Sequence, residues 1–240
     1  IGNGYRILSQ EAVTATTPDA VAQHLFFYDN ARDRDIRDVV GARITVLHST
    51  EIPAVLTLLA DEFEVLRSVD KVIMIGCGTA SYAGQVARYA IEHWCRIPTE
   101  VELAHEFRYR DPIVNEKTLV VALSQSGETM DTLMAVRHAR QQGAKVIAIC
   151  NTQGSSIPRE SDAVIYTHAG PEIGVASTKG FLTQVVACYL LGLYLAQLRG
   201  NKFRDEIALI LKDLQTIPEK IQRILDEGAA KGDRTGTGTL

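Results

Sequence analysis

The sequence predicts a three-layer α/β/α protein, in which a five-stranded parallel β-sheet lies between two layers of helices. Three observations support this α/β fold class. Short runs rich in valine, isoleucine and leucine alternate along the chain with longer segments whose apolar residues have helical spacing. The short runs are apolar throughout, which is typical of parallel strands covered on both faces. Glycine and small hydroxyl residues separate several of these runs from the helical segment that follows.

The regular alternation begins at Lys71. The five predicted strands cover residues 72–75, 99–103, 118–123, 146–149 and 164–166. The predicted helices between and after them cover residues 82–94, 129–142 and 177–198. A further amphipathic stretch at residues 206–225 is interrupted near Pro218, because proline removes a backbone donor from a helix interior.

The chain is predicted to contain one large domain with two extensions. Residues 69–226 hold all five strands and form the predicted domain. Residues 1–68 are predicted to be an N-terminal extension, in which a helix over residues 52–66 leads into the domain. Residues 227–240 are rich in glycine and threonine and are predicted to be a linker or a disordered tail. Because the chain begins with isoleucine, we expect it to be a fragment of a longer protein.

Composition argues against several classes of partner and site. The net charge of −4, without a basic stripe, argues against nucleic acid. No signal peptide is found, and the apolar stretch at residues 185–198 is predicted to be too short to span a membrane. The four cysteines lack a CxxC pair, which favours reduced thiols in a cytoplasmic protein. The histidines lack metal-ligand spacing, so no metal site is expected; those considered are His93, His105, His138 and His168. No cofactor is expected either.

The predicted topology brings distant loops together. Right-handed crossovers between parallel strands place every strand-to-helix connection at the carboxyl edge of the sheet. Three segments rich in glycine or hydroxyl groups occupy such connections, at residues 76–79, 124–129 and 172–179. We therefore expect these segments to meet at one edge, where a small ligand would bind.

The segment at residues 124–129 has the properties of an anion site. The first N–H groups of a helix lack intrahelical acceptors, and the helix dipole is positive there. Ser124, Ser126 and Thr129 add hydroxyl groups, and Gly127 allows a ligand to approach the backbone. The segment contains no lysine or arginine, so neutral donors would hold a phosphate there. The alternative is that Ser126 is only the N-cap of the helix.

The other two segments are open to the same pair of interpretations. Thr79 either contributes to the ligand site at this edge or only caps its helix. The segment at residues 76–79 lacks the third glycine of a dinucleotide-binding fingerprint, and the chain contains no P-loop. Ser177 and the backbone of Val175 either contact sugar hydroxyls, with Lys179 nearby, or Ser177 is an N-cap beside a solvated lysine.

Two further polar stretches are less specific. Residues 102–111 form a dense polar patch, which is a subunit contact, an ion-paired face or part of a site. Residues 154–160 are predicted to be a loop, although their serines lie near the same edge of the sheet.

Five motifs together resemble the sugar isomerase (SIS) domain family. They are EFRYR at residues 106–110, LSQSGET at 123–129, AICN at 148–151, SD at 161–162 and EIGVASTK at 172–179. Within that family they are similar to the first SIS copy of the glutamine:fructose-6-phosphate aminotransferases, also called glucosamine-6-phosphate synthases. The resemblance covers residues 69–226 and implies a flavodoxin-like sheet.

The resemblance also implies roles for individual residues. At the position of Ala80 the family often has a serine that contacts the ligand, so one expected contact is missing here. The implied phosphate donors are Ser124, Gln125, Ser126 and Thr129, and the implied sugar contacts are Thr79, Val175 and Ser177.

The family converts fructose 6-phosphate and glutamine to glucosamine 6-phosphate and glutamate in the cytoplasm. Its members carry a glutaminase domain and a second SIS copy, which supplies the groups for ring opening and proton transfer. Neither is recognised in this sequence, so the resemblance implies a substrate-binding portion without catalytic residues of its own. It implies fructose 6-phosphate or glucosamine 6-phosphate as ligand and a homodimer as assembly. The alternatives are a stand-alone SIS sensor and a sugar-phosphate isomerase or deaminase without glutaminase.

Overall fold

The structure, a computed structural model, describes residues 65–172, 174 and 176–230. The predicted N-terminal extension up to residue 64 and the tail from residue 231 lie outside the described residues, as does most of the helix predicted over residues 52–66. Residues 65–68 are helical and lead into the first strand.

Five parallel strands form one sheet, which confirms the predicted fold class. The strands are β1 (Lys71–Gly76), β2 (Thr99–Leu103), β3 (Thr118–Ser124), β4 (Lys145–Cys150) and β5 (Ala163–Tyr166). Their order across the sheet is β2-β1-β3-β4-β5, and every neighbouring pair is parallel. Each predicted strand is confirmed to within one residue at either end. The strand order reverses between β1 and β3, which is where ligands of such sheets bind.

Seven helices follow β1 in the described part of the chain. They are α1 (Thr79–Cys95), α2 (Ala104–Tyr109), α3 (Met130–Gln141), α4 (Ser156–Arg159), α5 (Lys179–Leu198), α6 (Arg204–Gln215) and α7 (Ile217–Ala230). Successive strand residues point to opposite faces, so the sheet buries an apolar layer on each side. One layer packs Val72 and Met74 against α1 and α5. The other packs Ile73 and Ile75 against α2, α3 and α4.

Three helix predictions need correction. Helix α1 begins at Thr79 rather than at residue 82, because Gly78 takes a positive φ of 57° and serves as the N-cap. The loop predicted at residues 154–160 contains α4, and the polar patch at residues 102–111 contains α2. Helices of four and six residues are too short to show a clear hydrophobic period.

The interruption predicted in the stretch at residues 206–225 is confirmed, because the stretch forms two helices. The break between α6 and α7 falls at Thr216. Pro218 is the second residue of α7. It therefore lies in the first turn, where the missing N–H would have had no intrahelical acceptor.

Helix α5 is a core helix. It has 20 residues and begins six residues before the apolar stretch at residues 185–198, and by length and composition alone it is the one helix in the described part of the chain that could span a membrane. However, 61% of its most apolar window is buried inside the protein. Gly192 lets it approach α1 closely, since a Cβ there would lie 3.0 Å from Ile91 Cγ1. The burial therefore assigns α5 to the core.

Candidate functional site

The loop between β3 and α3, residues 124–129, is folded around its own hydroxyl groups. Ser124 is only 3% exposed, and its Oγ accepts a hydrogen bond from the Gly127 N–H at 3.0 Å. The same oxygen lies 3.4 Å from Thr129 Oγ1. Ser126 Oγ accepts from the Glu128 N–H at 3.2 Å, so its own hydroxyl hydrogen is left to donate. Ser124 therefore organises the loop from inside, and the half-buried Ser126 and Thr129 line its surface.

The start of α3 presents backbone donors at this loop. Thr129 is the N-cap of α3, and its side chain makes no capping bond. The interpretation of Ser126 as the N-cap is therefore wrong. Within residues 65–230 as described, no acceptor faces the N–H groups of Ser126, Thr129 and Met130. Unpaired amides at the positive end of a helix dipole attract an anion.

Gly127 fixes how this loop packs. Its φ is +70°, and a Cβ there would lie 1.9 Å from Ser155 Oγ. Its carbonyl accepts a hydrogen bond from the Ile157 N–H at 2.9 Å, which joins the loop to α4. The Gln125 carbonyl accepts two further bonds, from the N–H groups of Asn151 and Thr152, both at 3.2 Å. The loop is thus held rigidly against the end of β4.

The other two predicted segments meet beside this loop. The Ser177 N–H donates to Thr79 Oγ1 at 3.4 Å, although the two residues are 98 positions apart in the chain. A Cβ at Gly180 would lie 3.4 Å from Gln125 Cγ, so the 124–129 loop touches the start of α5. The structure thus brings Thr79, Gln125 and Ser177 to one edge of the sheet. Val175 lies outside the described residues.

Glu172 caps the start of α5, which the sequence did not reveal. Its Oε1 accepts from the N–H groups of Thr178 at 3.0 Å and Gly180 at 3.3 Å, and its Oε2 accepts from Ser177 Oγ at 2.6 Å. The N-cap residue is Thr178, so the N-cap interpretation of Ser177 is wrong. Glu172 precedes the helix by seven residues, too far for a local capping motif to indicate it.

The charge of Glu172 is stabilised by these bonds. Partial burial raises the pKa of its carboxyl group, but the hydrogen bonds from Ser177, Thr178 and Gly180 outweigh that effect and hold the pKa below its ordinary value. An anion thus already occupies the N-terminus of α5. A phosphate would therefore find free amides at α3 rather than at α5.

We expect Glu172→Gln to lower the free energy of unfolding by about 1–2 kcal/mol at neutral pH, as for the loss of a helix cap. Because the folded-state pKa is depressed, the contribution of Glu172 is present above the unfolded-state pKa and is lost as the pH falls through the folded-state pKa. The difference between wild type and variant should shrink as the pH is lowered from 7 past about 4.3, the ordinary glutamate value. Chemical denaturation at each pH measures it, with Glu116→Gln, an exposed glutamate in the turn before β3, as the control. A difference that does not change with pH would contradict the capping role.

Asn151 holds the loop between β5 and α5 in place. Its Oδ1 accepts from the Ala169 N–H at 2.8 Å and from Thr167 Oγ1 at 3.2 Å. Its Nδ2 donates to the Gly170 carbonyl at 2.9 Å.

Ala80, where the SIS resemblance implies a missing serine contact, is 8% exposed and packs in the apolar layer of α1 and α5.

One group of side chains in the described residues could hold a metal ion. The ligand atoms of Cys77, His105 and Asp131 all lie within 4.8 Å of one another. These residues follow β1 and lie on α2 and α3. Sequence spacing could not indicate them, because only the fold brings the three elements together.

The comparisons with known proteins agree with this architecture. The model of the SIS domain family matches residues 65–194. The glutamine–fructose-6-phosphate aminotransferase (isomerizing) of Corynebacterium efficiens is 67% identical over 211 residues, which is 87% of this chain and 34% of the relative. Because residues 65–240 number only 176, that match includes part of the first 64 residues.

The similarity extends to solved structures. The C-terminal domain of glucosamine-fructose-6-phosphate aminotransferase from Francisella tularensis has a TM-score of 0.68 and 38% identity, over 71% of this chain and 48% of that one. A protein described as a phosphosugar isomerase of Clostridium difficile has a TM-score of 0.59 and 27% identity, over 68% and 48% of the two chains. The chain spans about a third of the length of the curated relatives it matches. With the family model covering more than half of its residues, the chain belongs to the SIS domain family.

Proposed function

We propose that this chain is the sugar-phosphate-binding SIS portion of a glucosamine-6-phosphate synthase. The observation that carries the proposal is the meeting of the 124–129 loop with Thr79 and Ser177 at the strand-order reversal. The names of the relatives support it, because a chain 67% identical to part of one aminotransferase is expected to bind the same class of substrate. The ligand is fructose 6-phosphate or its product glucosamine 6-phosphate.

In this proposal the two ends of the ligand contact different elements. The phosphate lies at the start of α3, where Ser126 and Thr129 hydroxyls and free backbone amides donate to it. Ser124 and Gln125 hold the loop that presents those donors, and Gln125 borders the sugar. Because the fold already holds these neutral donors in position, they need not rearrange when the anion binds, and no binding energy is lost on that rearrangement.

The sugar hydroxyls lie towards Thr79 and Ser177, with the Val175 backbone as a third contact. The Ser177 hydroxyl donates its hydrogen to Glu172, so its remaining lone pairs accept from a sugar O–H. Thr79 Oγ1 accepts from the Ser177 N–H, so its hydroxyl hydrogen is left to donate. The pair therefore offers one acceptor and one donor to neighbouring sugar oxygens.

In the whole protein this binding would serve amino transfer from glutamine, coupled to isomerisation of the ketose to the aldose. The acid–base groups would come from outside this chain, from a second SIS copy, and ammonia from a glutaminase domain. Residues 69–226 would form the SIS domain between an N-terminal extension and a C-terminal linker, in a cytoplasmic homodimer. A sedimentation profile with only monomer at high concentration would contradict the dimer.

Calorimetric titration of the chain tests the proposed ligand. We expect fructose 6-phosphate and glucosamine 6-phosphate to bind at one site per chain, and unphosphorylated fructose to bind at least about 100-fold more weakly, because the phosphate makes the charge-assisted hydrogen bonds. Equal affinity for fructose with and without phosphate would contradict the assigned anion site.

A second candidate is a sugar-phosphate isomerase or deaminase without glutaminase. It is favoured by the 27% identical structure described as a phosphosugar isomerase. The two candidates differ in their nitrogen source. Release of ammonia from glutamine by the full-length gene product supports the synthase, and its absence supports the second candidate.

A further inference from the structure

A second cluster of chemically reactive side chains lies at the carboxyl edge of β1. Cys77 follows β1 directly, His105 is on α2, and Asp131 is in the first turn of α3. Their ligand atoms, one sulfur, one imidazole nitrogen and one carboxylate oxygen, lie within 4.8 Å of one another. None of these residues is among the predicted sugar-phosphate contacts.

The separation of these atoms suits coordination of a single ion. Zinc binds cysteine sulfur at about 2.3 Å, and histidine nitrogen or carboxylate oxygen at about 2.0–2.2 Å, so tetrahedral ligand atoms are roughly 3.5 Å apart. Separations of up to 4.8 Å then require movements of about 1 Å, which side-chain rotation provides because His105 and Asp131 are exposed. The backbones need not move.

The donor set selects the class of cation. A thiolate and an imidazole favour borderline transition-metal ions such as Zn²⁺, whereas Mg²⁺ and Ca²⁺ prefer oxygen ligands only. Three protein ligands leave one tetrahedral position for water. The neighbouring carboxylate of Glu106, with Oε1 3.8 Å from His105 Nε2, adds negative charge beside the cluster.

Cys77 is the one cysteine of the four that is accessible to a metal ion. Burial raises the pKa of the Cys95 thiol to about 12 and raises the pKa values of the Cys150 and Cys188 thiols as well, so these three stay protonated in the core. Cys77 is partly exposed, and its Sγ lies 3.7 Å from the Thr132 hydroxyl. A metal ion can therefore reach the Cys77 sulfur from solvent.

We propose that Cys77, His105 and Asp131 bind one Zn²⁺-class ion, with water as the fourth ligand. Bound metal would join the loop between β1 and α1 to the starts of α2 and α3. None of the three residues is a proposed phosphate donor, and the test of the site needs no sugar.

Cobalt binding tests the site, because Co²⁺ has the same ligand preferences as Zn²⁺ and has visible spectra. The reduced, chelator-treated chain is titrated with Co²⁺ in the absence of sugar. We expect one equivalent to bind, with tetrahedral visible bands and a near-ultraviolet sulfur-to-cobalt charge-transfer band, both removed by one equivalent of Zn²⁺. The Cys77→Ser variant should lose the charge-transfer band.

His105→Ala and Asp131→Asn replace exposed side chains, so both variants should remain folded. Each should weaken cobalt binding by at least about 10-fold, the lower end of the effect of losing an outer-shell partner. His93→Ala, an exposed histidine in the last turn of α1, is the matched control and should bind cobalt as wild type does. A wild-type chain without the charge-transfer band, a band that persists in Cys77→Ser, or unchanged affinity in both other variants would overturn the proposal. None of these outcomes depends on whether a sugar phosphate binds.

Discussion

Replacing Gly127 with alanine is expected to lower the free energy of unfolding by about 3 kcal/mol, the sum of two costs. The left-handed conformation, φ +70°, costs a residue with a Cβ about 1–2 kcal/mol. The added Cβ would also lie 2.6 Å from Ser155 Cβ and 2.8 Å from Cys150 Sγ, and relieving such overpacking costs about 1–3 kcal/mol. Urea denaturation of wild type and variant measures the difference.

Gly154→Ala is the matched control for this prediction. Gly154 has the same φ of +70°, but nothing lies within 4 Å of a Cβ added there. It should therefore show the backbone cost alone, about 1–2 kcal/mol. The additional loss of unfolding free energy in Gly127→Ala, relative to Gly154→Ala, measures the cost of the contact with Ser155 and Cys150. Equal losses in the two variants would mean that the 124–129 loop is not pressed against the β4–α4 connection as described.

The strands were predictable because parallel strands covered on both faces leave a simple signal. Runs such as residues 118–123 contain almost no polar side chain, and all seven residues of β3 are buried. The helix ends were harder, because they depend on contacts that a local pattern does not contain. The start of α5 depends on Glu172, seven residues upstream, and the start of α1 on the positive φ of Gly78.

The candidate site was predictable in outline and not in its details. Topology alone requires the connections after β1, β3 and β5 to lie at one edge. Topology does not determine which hydroxyl groups make hydrogen bonds within the loops, as that of Ser124 does. Nor does it determine which helix N-terminus already has a carboxylate bound to it, as α5 has Glu172. The group of Cys77, His105 and Asp131 also escaped prediction, since its members come from three elements and share no spacing in the sequence.

Removing the two surface hydroxyls of the 124–129 loop should have the largest effect on ligand binding. We expect Ser126→Ala and Thr129→Val each to weaken fructose 6-phosphate binding by at least about 10-fold, since a hydrogen bond to a charged group contributes about 1.5–3 kcal/mol. Valine keeps the branched shape of threonine, so only the hydroxyl is lost. The double variant should lose about 100-fold or more, measured by calorimetry, although neighbouring sites need not be additive.

Ser68→Ala is the control that separates the phosphate site from a general loss of stability. Ser68 precedes β1, at the opposite edge of the sheet, and its Oγ donates to the Val65 carbonyl at 2.8 Å. This variant also loses one serine hydroxyl, but it should bind the sugar phosphate as wild type does. If the Ser126 and Thr129 double variant also bound at wild-type affinity, the two hydroxyls would not be phosphate donors. The phosphate would then be held by the backbone amides of α3 alone or would lie elsewhere along the edge, but not at the start of α5, where Glu172 would repel it.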